Sequence, residues 1–209
     1  MNYITFGDLR SDNDLFLILK SKEIGSPKAK KREIDIEGGD GVLDLTELFG
    51  VVNYENRQLK FVFSSTKPFV SHYSEILKAL HEQKVKITLS DDPDWYYIGR
   101  LSVGTGKREM KVWEVEIEAD CEPYKYKLAE TVVTNAVSTS LDITLANSKK
   151  RVVPTITTDA TMQFAFGGTT YTASAGTFQI PELELKEGDN TVTVVGTGNV
   201  TFRYREGDL

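Results

Sequence analysis

Any chemistry in this chain must come from a short list of side chains: two histidines, His72 and His81, one cysteine, Cys121, and an acidic trio, Asp91, Asp92 and Asp94. A Ser-His-Asp or Cys-His arrangement needs a histidine set beside its nucleophile. Neither histidine has a flanking nucleophile signature. Both fall on one stretch of helical periodicity, nine residues apart. At about 100° per residue they project in opposite directions and cannot share a metal ion through that helix. One cysteine and no closely spaced histidine pair leave no metal set. Both histidines are expected at the surface or rim, and Cys121 as a small buried filler. The aspartates surround Pro93, where aspartate is favoured because its carboxylate accepts hydrogen bonds from turn backbone. The residues predict no enzyme, no metal and no cofactor.

Two other stretches invite a binding role. Gly38-Gly39-Asp40-Gly41 suits a sharp reversal. It lacks both the lysine-hydroxyl ending and the long following helix of a phosphate loop. Lys28, Lys30, Lys31 and Arg32 form a basic run after Pro27. Lysines on an exposed strand edge discourage unwanted pairing, and the same run could dock on an acidic subunit or partner. A net charge of −6, from 25 basic and 31 acidic residues, argues against specific nucleic-acid binding, which is driven by phosphate neutralisation. No apolar run approaches the ~20 residues that span a bilayer, so no membrane insertion is expected. The first residues lack the basic and apolar regions of a signal peptide, and a single cysteine suits synthesis in a reducing cytoplasm.

The elements that would position these residues are mostly strands. Lys84–Lys127 reads as a β-meander: Val85, Ile87 and Leu89 alternate with polar residues, a turn follows at Asp92-Pro93, and a second strand carries Trp95, Tyr97 and Leu101 on one face. A third strand, Lys111–Asp120, buries Trp113, Val115, Ile117 and Ala119 and shows Glu114, Glu116 and Glu118 to water. Strands are also expected at Asn2–Phe6, at Leu15–Ser21 (buried on both faces), at Glu33–Glu37 and around Leu59, Phe61 and Phe63. One helix, about 68–83, opens at Pro68, since a first-turn proline loses no helical hydrogen bond. Val70, Tyr73, Leu77 and Leu80, with Ile76 beside them, form its apolar stripe.

Near residue 129 the composition shifts, and 16 threonines fall between Thr131 and Thr201. Seven short runs at turn-signal spacing, from Leu141–Leu145 to Val200–Arg205, predict an antiparallel β-sandwich over 130–209. Its core should include Val153, Ile156, Met162, Phe164, Phe166, Val192, Val194, Val200 and Phe202. The domains are therefore 1–129 and 130–209, and the fold class is mainly β. The N-terminal domain is expected to be sandwich- or barrel-like with one helix. A small sandwich can be a lectin-like, carbohydrate-binding module for host-surface adhesion, in which an aromatic platform lies beneath the sugar. Tyr171 is the one aromatic expected to stand exposed for that role.

With these motifs placed, the chain resembles the distal tail protein (Dit) family of long-tailed bacteriophages or phage-derived tail-like particles. The resemblance covers about residues 1–128. It rests on Glu33-Ile34-Asp35-Ile36-Glu37-Gly38-Gly39-Asp40-Gly41 running into Val42-Leu43-Asp44-Leu45-Thr46, then Asn56-Arg57, Leu80-His81, Asp92 to Arg100, and Cys121-Glu122-Pro123-Tyr124-Lys125. Family members often carry arginine where this chain has Glu37-Gly38-Gly39. The later stretches Asn147 to Pro154, Gly188-Asp189-Asn190 and Gly196-Thr197-Gly198 resemble the galectin-like sandwich that the family carries there, without the histidine and tryptophan of sugar-binding galectins. The resemblance implies a structural hub at the virion tail tip. Six copies would form a homohexamer ring through the N-terminal domains. That ring would join the major tail-tube protein to tail-associated, tail-tip, baseplate or receptor-binding proteins, with the sandwiches projecting as attachment platforms.

Overall fold

Apolar residues at every second position make half-buried strands, and most of this chain is built from them. The computed structural model describes residues 2–48, 50–109 and 111–209. Residues up to Lys125, with Leu209, form one compact unit, and Tyr126–Asp208 form another.

The first unit contains β1 (Ile4–Phe6), β2 (Leu9–Arg10), β3 (Ile18–Ile24), β4 (Glu33–Asp35), β5 (Val42–Asp44), β6 (Arg57–Ser65), α1 (Phe69–Leu80), β7 (Lys84–Leu89), β8 (Asp92–Val103), β9 (Lys107–Glu109) and β10 (Val112–Cys121). The main sheet runs β2-β1-β7-β8-β10-β6-β3, with neighbours antiparallel. β1 and β6 lie four strand spacings apart, about 19 Å on a flat sheet at ~4.8 Å per strand. Yet the Phe6 ring centroid lies 5.8 Å from that of Phe61 and 6.1 Å from that of Phe63. The sheet therefore rolls its apolar face inward, as expected of a sandwich- or barrel-like domain. Leu59, Phe61, Phe63, Trp113, Val115, Ile117 and Ala119 all enter this core. On the outer face, Glu114 pairs with Lys20, and Lys60 lies 2.9 Å from Glu116 and 3.6 Å from Glu118.

The helix begins after Pro68 as the sequence predicts and ends at Leu80, three residues short of the expected limit. Its stripe holds except at the first position. Ile76 and Leu80 are buried and Tyr73 and Leu77 pack on the core with Phe69, but Val70 is 75% exposed. Phe69, at i−4 to Tyr73, takes the place assigned to Val70 and stacks on Tyr73.

Three other expectations change. Leu15–Ser21 is not one doubly buried strand. Leu15 and Leu17 are buried but bond through their N–H groups to the Arg10 and Ser11 carbonyls at the end of β2, whereas Phe16 (φ 48°) and Ile18 are exposed. The turn after β7 sits at Ser90-Asp91, two residues before the expected Asp92-Pro93, and Pro93 lies inside β8. Leu89 pairs with Asp92 but Thr88 with Tyr96, so residues 93–95 bulge out of the ladder. A proline, having no N–H to donate, is accommodated in such a bulge. Tyr96 is buried as well as Tyr97, a departure from strict alternation that begins at the same bulge.

The short β11 (Lys125–Lys127) spans the division between units, and the second unit continues with β12 (Thr131–Val137), β13 (Ser140–Asn147), β14 (Thr155–Thr158), β15 (Met162–Phe166), β16 (Thr169–Ala173), β17 (Gly176–Gln179), β18 (Gly188–Val195), β19 (Gly198–Tyr204) and β20 (Gly207–Asp208). Two four-stranded antiparallel sheets, β12-β19-β14-β17 and β13-β18-β15-β16, enclose one core. The rings of Phe164 and Phe202 meet edge-on across it at 6.3 Å. Ile156, Met162, Val192, Val194 and Val200 join them, whereas Phe166 only packs against the core and Val153 stays outside it. Leu183 and Leu185, from an irregular segment after Pro181, are fully buried.

Candidate assembly surface

Between β3 and β6 the chain makes an excursion from the rolled sheet. Its first leg carries the basic run, and its second returns antiparallel to the first. Lys30 N–H donates to Asn53 O (2.7 Å) and Glu55 N–H to Lys28 O (2.8 Å), and Leu45 N–H donates to Arg32 O (2.7 Å). Lys28, Lys30, Lys31 and Arg32 are all exposed. Lys31 reaches Glu33 at 3.6 Å.

The ribbon leads into the β4–β5 hairpin, a two-stranded sheet of its own. Gly38 and Gly41 bracket the turn with φ of 80° and 76°, a conformation that favours glycine. Register places Ile34 opposite Leu43, Glu33 opposite Asp44 and Asp35 opposite Val42. Side chains alternate along a strand, so Ile34 and Leu43 share one face while Glu33, Asp35 and Asp44 share the other with Val42. The alternation predicted at Glu33–Glu37 is present as a strand over Glu33–Asp35, after which the chain turns, but neither face is covered. Ile34, Ile36, Val42 and Leu43 are 47–56% exposed. The Asp44 carboxyl is held below its ordinary range by the Thr46 hydroxyl and N–H, with Lys31 adding to the effect.

A second feature of the same unit is a cleft of about 870 Å³ where α1 begins against Arg108 of β9 and the start of β10. Phe69, Val70 and Val112 supply its apolar wall, and Lys67, Arg108 and Lys111 its charge; no carboxylate is among its described lining residues. The register between β6 and β10, with Ser65 opposite Trp113, brings together residues more than forty positions apart. Trp113 fixes the floor by donating its indole N–H to Lys67 O at 2.9 Å. No local motif in the sequence marks this cleft.

The residues that invited a chemical reading are dispersed or committed. His72 is 6% exposed, a correction to its expected surface position. Its Nε2–H donates to Leu15 O at 2.8 Å and its Nδ1 lies 3.3 Å from Ser65 Oγ. His81 is exposed, and its Nδ1 accepts the Val103 N–H at 3.1 Å. Cys121 is fully buried, and burial foremost, with Asp120 nearby, pushes its thiol up to about 12. Asp91 pairs with Lys22, whose hydrogen bond holds its carboxyl below the ordinary range. Asp92 pairs with Lys125 at 2.8 Å, and Asp94 is exposed. No group of three acidic, histidine or cysteine side chains among the described residues is arranged to hold a metal. In the second unit Tyr171 is directly opposite Phe164 on edge strand β16 and packs half-buried against the core. Cross-strand partners face the same side of a sheet, so its ring is turned inward and offers less free face than the exposed platform expected.

No family model and no curated protein matches the sequence. Among solved structures, the chain is similar to the SPP1 Dit (gp 19.1) protein, described as a paradigm of the hub adsorption apparatus in phages that infect Gram-positive bacteria. The TM-score is 0.67 over 98% of this chain and 99% of that one, at 17% identity. The chain has the Dit fold over nearly its whole length.

Proposed function

We propose that this chain is a distal tail protein, the hub of a long-tailed phage or phage-derived particle. It assembles through its first unit into a six-membered ring between the tail tube and the tail-tip or baseplate proteins. The second unit, a galectin-like sandwich, serves as an attachment platform.

The observation that carries the reading is the β4–β5 hairpin. A two-stranded hairpin is marginal by itself in water, and carboxylates placed directly opposite weaken it further. This one nevertheless projects four large aliphatic residues into solvent. Such an arm is stabilised by a surface outside its own fold, and a ring of identical copies supplies one to every member. The Dit fold and the net charge of −6 agree with this role, since an acidic hub does not grip the DNA that passes through it.

Mass photometry of the full chain, alone at high concentration and with its tail-tube protein, tests the reading. Six-copy particles are expected in at least one condition. Compact monomers in both would overturn it.

A further inference from the structure

On the ring reading, we propose that the hairpin of one copy seats in the α1 cleft of the next. The two surfaces complement each other in charge. The hairpin carries Glu33, Asp35, Glu37, Asp40 and Asp44, and the cleft carries Lys67 and Lys111 with no described carboxylate beside them. They also match in apolar content. Ile34 and Leu43 form one exposed hairpin face, and Phe69, Val70 and Val112 wall the cleft. At about 870 Å³ the cleft lies in the upper part of the ~300–1,000 Å³ range of ligand sites, room for side chains of a strand end.

One hairpin face is apolar, and the other carries Glu33, Asp35 and Asp44 beside Val42, so a purely apolar groove would desolvate those carboxylates without a partner of its own. A cationic, apolar cleft answers both. Each copy owns one hairpin and one cleft, which makes the contact head-to-tail. A contact of that type closes into a ring when its rotation permits, and it leaves no unmatched arm in the closed assembly.

Two full-length variants test the contact, one Ile34→Cys and the other Val70→Cys. A short bismaleimide should cross-link them when mixed and give little product with either alone; native Cys121 is buried and does not compete. Separately, Lys67→Glu/Lys111→Glu and Glu33→Lys/Asp35→Lys should each weaken self-association at least tenfold. One chain carrying all four changes should regain most of it, with unchanged far-UV circular dichroism throughout. If wild-type rings form but the mixture does not cross-link, or the fourfold variant associates no better than the double ones, this docking is wrong and the hub reading stands. If the wild-type chain forms no ring with or without its tube partner, both fall.

Discussion

Gly99 of β8 is the register partner of Cys121 of β10, and a Cβ at Gly99 would stand 2.4 Å from the Cys121 sulfur. It would also lie 3.0 Å from the Asp120 carbonyl oxygen. Glycine here answers a close approach between strands rather than a turn. Gly99→Ala should destabilise the protein by about 1–3 kcal/mol, the usual cost of forcing an extra methyl into a packed core. Urea unfolding measures it. Cys121→Ala removes the sulfur, so the double variant should be more stable than the sum of the two single losses. Strict additivity would mean that the backbone, not the sulfur, is the obstacle.

The same cysteine should be inert. Its thiol is buried and pushed up to about 12, so little thiolate, the reactive form, exists at neutral pH. Labelling with iodoacetamide at pH 8 should therefore be far slower in the native protein than in urea. Native labelling at the free-thiol rate would show that β8 and β10 open readily.

The buried strands were legible because they obey one rule: Leu59, Phe61 and Phe63, and Trp113 to Ala119, alternate cleanly and enter the core. Where a residue answers to something non-local, alternation failed. Phe16 is turned outward because Leu15 and Leu17 bond to the Arg10 and Ser11 carbonyls at the end of β2. Pro93 belongs to a bulge whose existence depends on pairing with Thr88 and Leu89. β12 escaped notice because its adjacent valines and the inward Asn135 blur the pattern on an edge strand. The hairpin was legible as a strand and turn, but its exposure was not, since Ile34 and Ile36 look core-facing until the fold shows nothing above them. The cleft had no local signal, because Lys67 and Lys111 meet only through the β6–β10 register.

His72 tests the corrected view of the helix. Its donor satisfies the Leu15 carbonyl at 2.8 Å, beside the Trp113 ring at 5.5 Å. His72→Phe keeps the ring and removes the donor, so it should cost about 1–3 kcal/mol, the penalty of an orphaned buried acceptor. A change within ~0.5 kcal/mol, typical of surface positions, would return His72 to the rim.

The basic run offers a separate test of assembly. Lys28, Lys30, Lys31 and Arg32 stand exposed on the stem of the hairpin. Reversing Lys28 and Lys30 to glutamate should leave the melting temperature unchanged and reduce ring formation by light scattering, if the stem joins the contact. Unaltered assembly would leave these residues as edge-protecting lysines.

Glu206 should give the second unit a measurable dependence on acid. Its carboxylate accepts hydrogen bonds from Lys127 Nζ (2.7 Å), Thr131 Oγ1 (2.6 Å) and Ser148 Oγ (2.9 Å). Partial burial by itself would raise its pKa, but these three donors, with the charge of Lys127, hold it below the ordinary value. A carboxyl whose folded pKa is depressed binds protons more readily in the unfolded chain. Its stabilising contribution is therefore complete above the unfolded glutamate value of about 4.3 and is lost as pH falls through the lower folded value. Glu206→Gln should cost about 1–2 kcal/mol at pH 7, because the charge-assisted bonds weaken. The penalty should shrink below pH 4, where the wild-type carboxylate is being protonated too. Thermal melts of the two proteins at pH 7 and pH 3.5 decide it: the gap in melting temperature should narrow at the lower pH. A gap that stays constant would place the effect in packing rather than in charge.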